Sequence, residues 1–149
     1  MKLMRSAAVL CVLAQALVAA QPQSPRKLRF VLDVRAESEA SRAAFTDGMR
    51  RELRSLADVE IVPPGESART IRVIVSSAPG FYAASALVTE RYDRETLMVL
   101  GIEDDDTANR MMALQIVNEH LIVAGADTAD VARRIVAALE TGLFVRLRR

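Results

Sequence analysis

The sequence predicts an α/β (α+β) fold: a two-layer sandwich of a mixed, mostly antiparallel sheet with helices packed on one face. Three observations carry this expectation. Apolar and polar residues alternate along Leu28–Val34 and Thr70–Ser76, the period of half-buried strands. At Phe45–Leu56 and Val131–Leu139 the apolar period lengthens to that of amphipathic helices. The strands alternate instead of running continuously apolar, which argues against a parallel sheet buried on both faces. With 149 residues, 51% of them apolar, and 20 basic against 19 acidic side chains, the chain has the size and composition of one packed domain.

The amino terminus reads as an address. Lys2 and Arg5 precede an apolar stretch from Ala7 to Ala20 broken only by Gln15, and Val18 and Ala20 are the small residues that signal peptidase requires. The stretch is short for a membrane span, which takes about 20 apolar residues. The expected organisation is a signal peptide over 1–20 cut after Ala20, a flexible leader over 21–27, and a single domain over 28–149, periplasmic or secreted. Cleavage would leave 18 basic side chains (20 less Lys2 and Arg5) against 19 acidic ones. It would also remove Cys11, the only cysteine, so the exported domain would rest on packing alone.

Within the domain, Leu28, Phe30, Leu32 and Val34 form the first strand face. Phe45, Met49, Leu53 and Leu56 stand at helical steps, with Ser38 or Ser41 as cap and Glu37 and Glu39 suiting the positive end of the helix dipole. Val59–Val62 is a short strand stopped by Pro63-Pro64-Gly65. Ile71, Val73 and Val75 share one face of the next strand. Ala78-Pro79-Gly80 then has turn chemistry, and Phe81–Tyr92 reads as a long strand with Tyr82, Ala84, Ala86, Val88 and Tyr92 on one side, completing an antiparallel hairpin.

Thr96–Ile102 is a third apolar run. Ala108, Met111, Met112, Gln115 and Ile116 suggest a short helix after an acidic cap, and His120–Ala124 a strand or a continuation of that helix, with helix then strand preferred. Asp127 is the expected cap of a last helix bearing Val131, Ile135 and Leu139. Gly142 is the expected stop, leaving Leu143–Arg149 as a tail.

The run LRFVLDV, the Arg-rich helix ending in RRELRSLADVEIV, then TIRVIVSS and ALVTERY resemble small exported bacterial α/β domains. The amino-terminal domain of TolB and the LpoB-like envelope proteins are of that type. The resemblance covers residues 28–100 in element order and composition. It implies an accessory or binding role in the cell envelope and transfers no active-site residue.

Candidate chemistry is sparse. Glu103, Asp104, Asp105 and Asp106 could offer oxygens to Ca²⁺, but Ala108 and Asn109 break the alternation of a calcium loop. The competing reading is a solvated turn whose last Asp, or Thr107, caps the next helix. His120 is the only imidazole; Ser76, Ser77 and Ser85 lack the G-x-S-x-G context of a nucleophile elbow. Glu90, Asp93 and Glu95 alternate with Arg91 and Arg94, as charges at a strand end do. The six glycines are dispersed, which excludes phosphate-binding loops.

Arginine outnumbers lysine 18 to two, with Arg42, Arg50, Arg51 and Arg54 on the first helix and Arg146, Arg148 and Arg149 at the end. Asp47 is placed to pair with Arg50 and Arg51. A charge this close to zero does not fit a nucleic-acid binder, and the scarcity of aromatics disfavours a sugar-stacking module. No catalytic, cofactor or metal residue is assigned. The expected function is a non-enzymatic envelope domain that binds an unknown envelope protein through a sheet edge or uncovered face, with Phe81–Tyr92 the candidate edge and no membrane span in the mature chain. The alternatives are a small metal-assisted hydrolase using the run at Glu103 with His120, and a binder of anionic polymer through the arginines.

Overall fold

The structure, a computed structural model, describes residues 27–149. The signal-peptide reading of 1–20, the cut after Ala20, Cys11 and nearly all of the leader lie outside the described residues. The elements are β1 (Leu28–Ala36), α1 (Glu39–Arg54), β2 (Val59–Ile61), β3 (Arg69–Ala78), β4 (Phe81–Glu90), α2 (Arg94–Val99), α3 (Asp105–Ala113), β5 (Ile116–Gly125), α4 (Thr128–Leu139), a π-helical turn (Glu140–Phe144) and α5 (Val145–Leu147). One five-stranded sheet has the order β2-β1-β3-β4-β5. β1 is parallel to β2 and to β3, whereas the two longest ladders, β3–β4 and β4–β5, are antiparallel. This is the α+β fold the alternating strands and helical stripes predict.

The period-2 pattern sends Leu28, Phe30, Ile71, Val73, Val75, Ala84, Ala86 and Val88 to one face, where they are buried. The stripes Phe45, Met49, Leu53 on α1 and Val131, Ile135, Leu139 on α4 close over them. Each large side chain so buried contributes about 1.5–3 kcal/mol before conformational entropy is subtracted. The two helices also meet each other. Gly48 lets them approach, because a Cβ there would stand 3.2 Å from the Ala132 Cβ. Ser38 caps α1 by accepting from the Ser41 amide at 3.1 Å. Asp127 caps α4 by accepting from Ala129 and Asp130 at 2.7 and 2.9 Å. Gly80 turns the β3–β4 hairpin at φ +71°, the value the second central residue of a Pro-Gly turn requires.

The structure departs from four expectations and resolves the unassigned run Thr96–Ile102. Phe81–Tyr92 is not an edge: β4 ends at Glu90 and lies between β3 and β5, leaving Tyr92 in the following loop. The third apolar run is helix α2, because Asp93 accepts from the Thr96 amide at 2.7 Å and starts a helical turn that buries Leu97. Ile116 belongs to β5, not to the preceding helix. The cap of α3 is Asp104, not Asp106 or Thr107; its carboxylate accepts from the Thr107 amide at 2.7 Å.

Gly142 does not stop the last helix. The chain widens into one π-helical turn and continues as α5, so Leu143 and Phe144 are buried and Phe144 stacks on Phe30 with centroids 5.1 Å apart. The supposed tail is core. Its last turn is pinned by Arg148, which donates from Nε and Nη2 to both Asp58 oxygens at 2.5 and 2.8 Å and from Nη1 to Glu140 at 2.6 Å.

Truncating Phe144 should therefore cost what a core deletion costs. Phe144→Ala is expected to destabilise the protein by about 3–5 kcal/mol, against less than about 0.5 kcal/mol for Val145→Ala beside it. Urea unfolding of the two variants checks this; equal midpoints would contradict it.

Candidate functional site

The second sheet face, opposite α1 and α4, carries its own ordered rows. Strand register sets Arg35, Ile74, Ser85 and Ile122 side by side, and next to them Asp33, Arg72, Leu87 and His120. In the first row Ile74 is 52% exposed and Ile122 is 76% exposed, and a third exposed apolar residue, Val117, stands further along β5. Asp33 holds the charged end of the second row, accepting from Arg72 Nε at 2.8 Å and lying 3.4 Å from Arg35 Nη2. Around these two rows the face is a half-apolar, half-polar surface open to solvent over β3, β4 and β5, and it closes toward the end of β4, where Thr89 is buried. Apolar side chains in register and in water are the unusual feature, because scattered ones are ordinary.

β5 is the long edge of the sheet. The backbone of residues 120, 122 and 124 turns outward from β4. The Arg134 guanidinium donates to the outward Ala124 carbonyl at 2.7 Å, and the outward His120 amide donates to Glu119 Oε1 at 3.3 Å. These two side-chain bonds occupy part of the edge and leave the Ile122 amide and carbonyl without a partner among the described residues. An edge so treated is less prone to indiscriminate pairing.

The residues singled out for chemistry are engaged separately. His120 sits on the open face, its Nε2 3.0 Å from Ser85 Oγ. Glu119, its neighbour in sequence, points to the other side and binds Arg146 at 2.9 Å. Of the acidic run, Asp104 caps α3, Asp105 pairs with Arg94, and Glu103 and Asp106 are exposed. Among the described residues no three His, Cys, Asp or Glu side chains gather as a metal site would require. Glu90 is committed to Arg69 and Asn118, both at 2.9 Å.

Most arginines are likewise spent. Arg42 binds Glu39 at 2.5 Å and Arg51 binds Glu52 at 3.3 Å, so the expected Asp47 pairing with Arg50 and Arg51 does not form. A concavity of 620 Å³ beside Lys27, Leu28, Asp58, Arg69 and Arg148 looks cationic, yet Arg148 and Arg69 already face carboxylates, and among the described residues Arg69 Nε is the buried side-chain polar atom without a partner. No helix among the described residues is long and apolar enough to cross a membrane.

No family model matches the chain, and no curated protein does. Among solved structures the chain is similar to a ribosomal subunit interface protein from Coxiella burnetii, with 13% identity over 80% of this chain and 99% of that one and a TM-score of 0.39. It is similar to the amino-terminal domain of Protein Y from Thermus thermophilus, with 14% identity over 78% and 92% of the two chains and a TM-score of 0.34. The PelC dodecamer from Paraburkholderia phytofirmans shares 10% identity over 81% and 95%, with a TM-score of 0.40. Likenesses at these scores carry nothing about activity.

Three carboxyls are held below the ordinary range: Asp58 by its side-chain bonds to Arg148, Asp104 by its bonds to the hydroxyl and amide of Thr107, and Asp93 by the Thr96 amide. A depressed folded-state value means that the unfolded chain binds more protons as pH falls. The stabilisation is full above the unfolded Asp value, about 3.9, and is lost below it as pH drops through the folded value. Asp58→Asn should lower stability near neutral pH by roughly 1 kcal/mol, with the deficit shrinking once pH falls below about 4. Denaturant titrations at pH 7 and pH 3 check the sign; a deficit that grows in acid would contradict it.

Proposed function

We propose that this chain is an exported, non-enzymatic domain of the cell envelope that works by binding another protein through the open sheet face over β3, β4 and β5. The observation that supports it most is that Ile74 and Ile122 stand in one cross-strand row, both more than half exposed, on the face opposite the main core. A solvent-facing surface of a domain with no binding role has little reason to hold two large aliphatic side chains in one row on either side of a serine. Edge strand β5 borders that face, so a partner can meet apolar side chains and outward backbone groups together. Support for export comes from the pattern Lys2 to Ala20 and from the resemblance of residues 28–100 to exported envelope domains.

The hydrolase alternative finds less support. His120 is bonded to Ser85 on a flat exposed sheet, the acidic run is drawn into capping and ion pairing, and neither lines one of the concavities described.

Photo-crosslinking in whole cells tests the proposal. A photoreactive residue at position 74 or 122 is expected to trap a protein adduct, and one at Arg133, on the exposed side of α4, is not. Ile74→Arg with Ile122→Arg should abolish adducts from position 117 while changing stability by less than about 0.5 kcal/mol. Adducts from position 133 alone, or from neither side, would contradict it.

A further inference from the structure

β2 is a stub. It pairs with Leu28–Phe30 and stops, while β1 runs on to Ala36 with β3 on its far side and no strand on the near one. The near side is identifiable from the backbone bonds. The Leu28 amide donates to the Asp58 carbonyl at 2.7 Å and the Val62 amide donates to the Phe30 carbonyl at 2.9 Å, so even-numbered residues of β1 face β2. By the alternation of a strand, Leu32, Val34 and Ala36 turn their amides and carbonyls to the same side. None of these groups has a hydrogen-bond partner on that side among the described residues. The uncovered stretch is about 16 Å long at about 3.3 Å per residue.

This edge forms one wall of a groove, and helix α1 forms the other. Two concavities of 410 and 430 Å³ adjoin at Leu32. The first lies at the end of β2, with apolar walls from Ile61, Val62 and Pro63 and with Arg50 and Arg54 one helical turn apart above them. The second continues past Val34 beneath Arg42, Thr46 and Asp47. Arg42 is neutralised by Glu39, and Asp47 is the one unpaired carboxylate of the helical wall. Arg50 and Arg54, by contrast, meet no carboxylate within 4.0 Å among the described residues, in a domain that pairs most of its other arginines.

We propose that the groove between α1 and the uncovered stretch of β1 receives an extended, carboxylate-bearing peptide of a partner protein as an added strand in line with β2. Donors and acceptors alternating at two-residue spacing match a peptide backbone and match neither a lipid nor a sugar. Two guanidiniums at one end match carboxylates, which they grip in a planar fork. The proposal rests on the interaction-domain reading but uses a different surface. β5 is the poorer strand acceptor, since Arg134 and Glu119 already occupy part of its outward backbone.

Selection of a random octapeptide library on the full chain, followed by hydrogen exchange of the complex, tests it. The peptides recovered are expected to carry Asp or Glu, to slow exchange at Leu32, Val34 and Ala36, and to bind the R50E/R54E variant at least about tenfold more weakly, because two attractions become repulsions. The R50Q/R54Q variant, which removes charge and keeps the helix, should lose affinity in the same direction. Recovery of no peptide, peptides without carboxylates, slowed exchange at β5 instead, or protection of Leu32 and Val34 already in the free chain would each overturn it. Crosslinks from positions 74 and 122 are independent of these outcomes, so the failure of one surface is separable from the failure of the other.

Discussion

The structure depends on the way one sheet face is closed. Five strands present a single apolar surface, and two helices alone do not cover it: α1 lies over β1 and β2, and α4 over β4 and β5. The remaining space is filled by the turn that follows α4. A π-helical widening at Glu140–Phe144 rotates the last turn so that Leu143 and Phe144 both point inward, and Phe144 meets Phe30 on the first strand. The two ends of the described chain are thus brought together, and Arg148 fixes the junction through Asp58, which precedes β2, and Glu140 in the π turn. With no cysteine among the described residues, this contact does the work of a covalent closure.

Closing one face so completely leaves the other to its own devices. No helix of the main core lies on it, and its rows follow strand register instead of helix packing. Ion pairs at Asp33 and Arg72 and the Ser85–His120 bond satisfy its polar groups, while Ile74 and Ile122 remain in water. The same division explains the edges. β5 is partly shielded by Arg134 from α4 and by its own Glu119, whereas β1 is uncovered because β2 ends after three residues at Val62-Pro63-Pro64, where two prolines supply no amide to continue the ladder.

Much of this was legible in the residues. Strict alternation placed Ile71, Val73, Val75 and the even-numbered residues of β4 on the core face, and steps of three and four placed Phe45, Met49 and Leu53 there. What failed has physical causes. Thr96–Ile102 stays unassigned because it is too short for periodicity to separate a strand from a helix, and the deciding cap, Asp93, reads as a strand-end charge. Gly142 was read as a stop because glycine ends helices in the left-handed conformation, but it has no positive φ here. The overlooked signal was the step of four that continues from Leu139 to Leu143 and Leu147. Of the sheet order, only the β3–β4 hairpin at Ala78-Pro79-Gly80 was legible; the parallel pairing of β1 with β2 and β3, and β5 beside β4, join segments distant in sequence that no local pattern marks. The open face was invisible for the same reason, since Ile74, Ser85 and Ile122 become neighbours only through register.

The account turns on Val73 being packed beneath the helices while the next residue, Ile74, stands in water in the row with Arg35, Ser85 and Ile122. Thiol labelling of the folded protein tests it most directly. On a Cys11→Ser background, a cysteine at the solvent-exposed position Ile74 should react with a water-soluble reagent at nearly the rate of the unfolded chain. A cysteine at Val73, one residue earlier and fully buried, should react only as fast as the protein opens. Equal rates at 73 and 74 in the native protein would contradict the account.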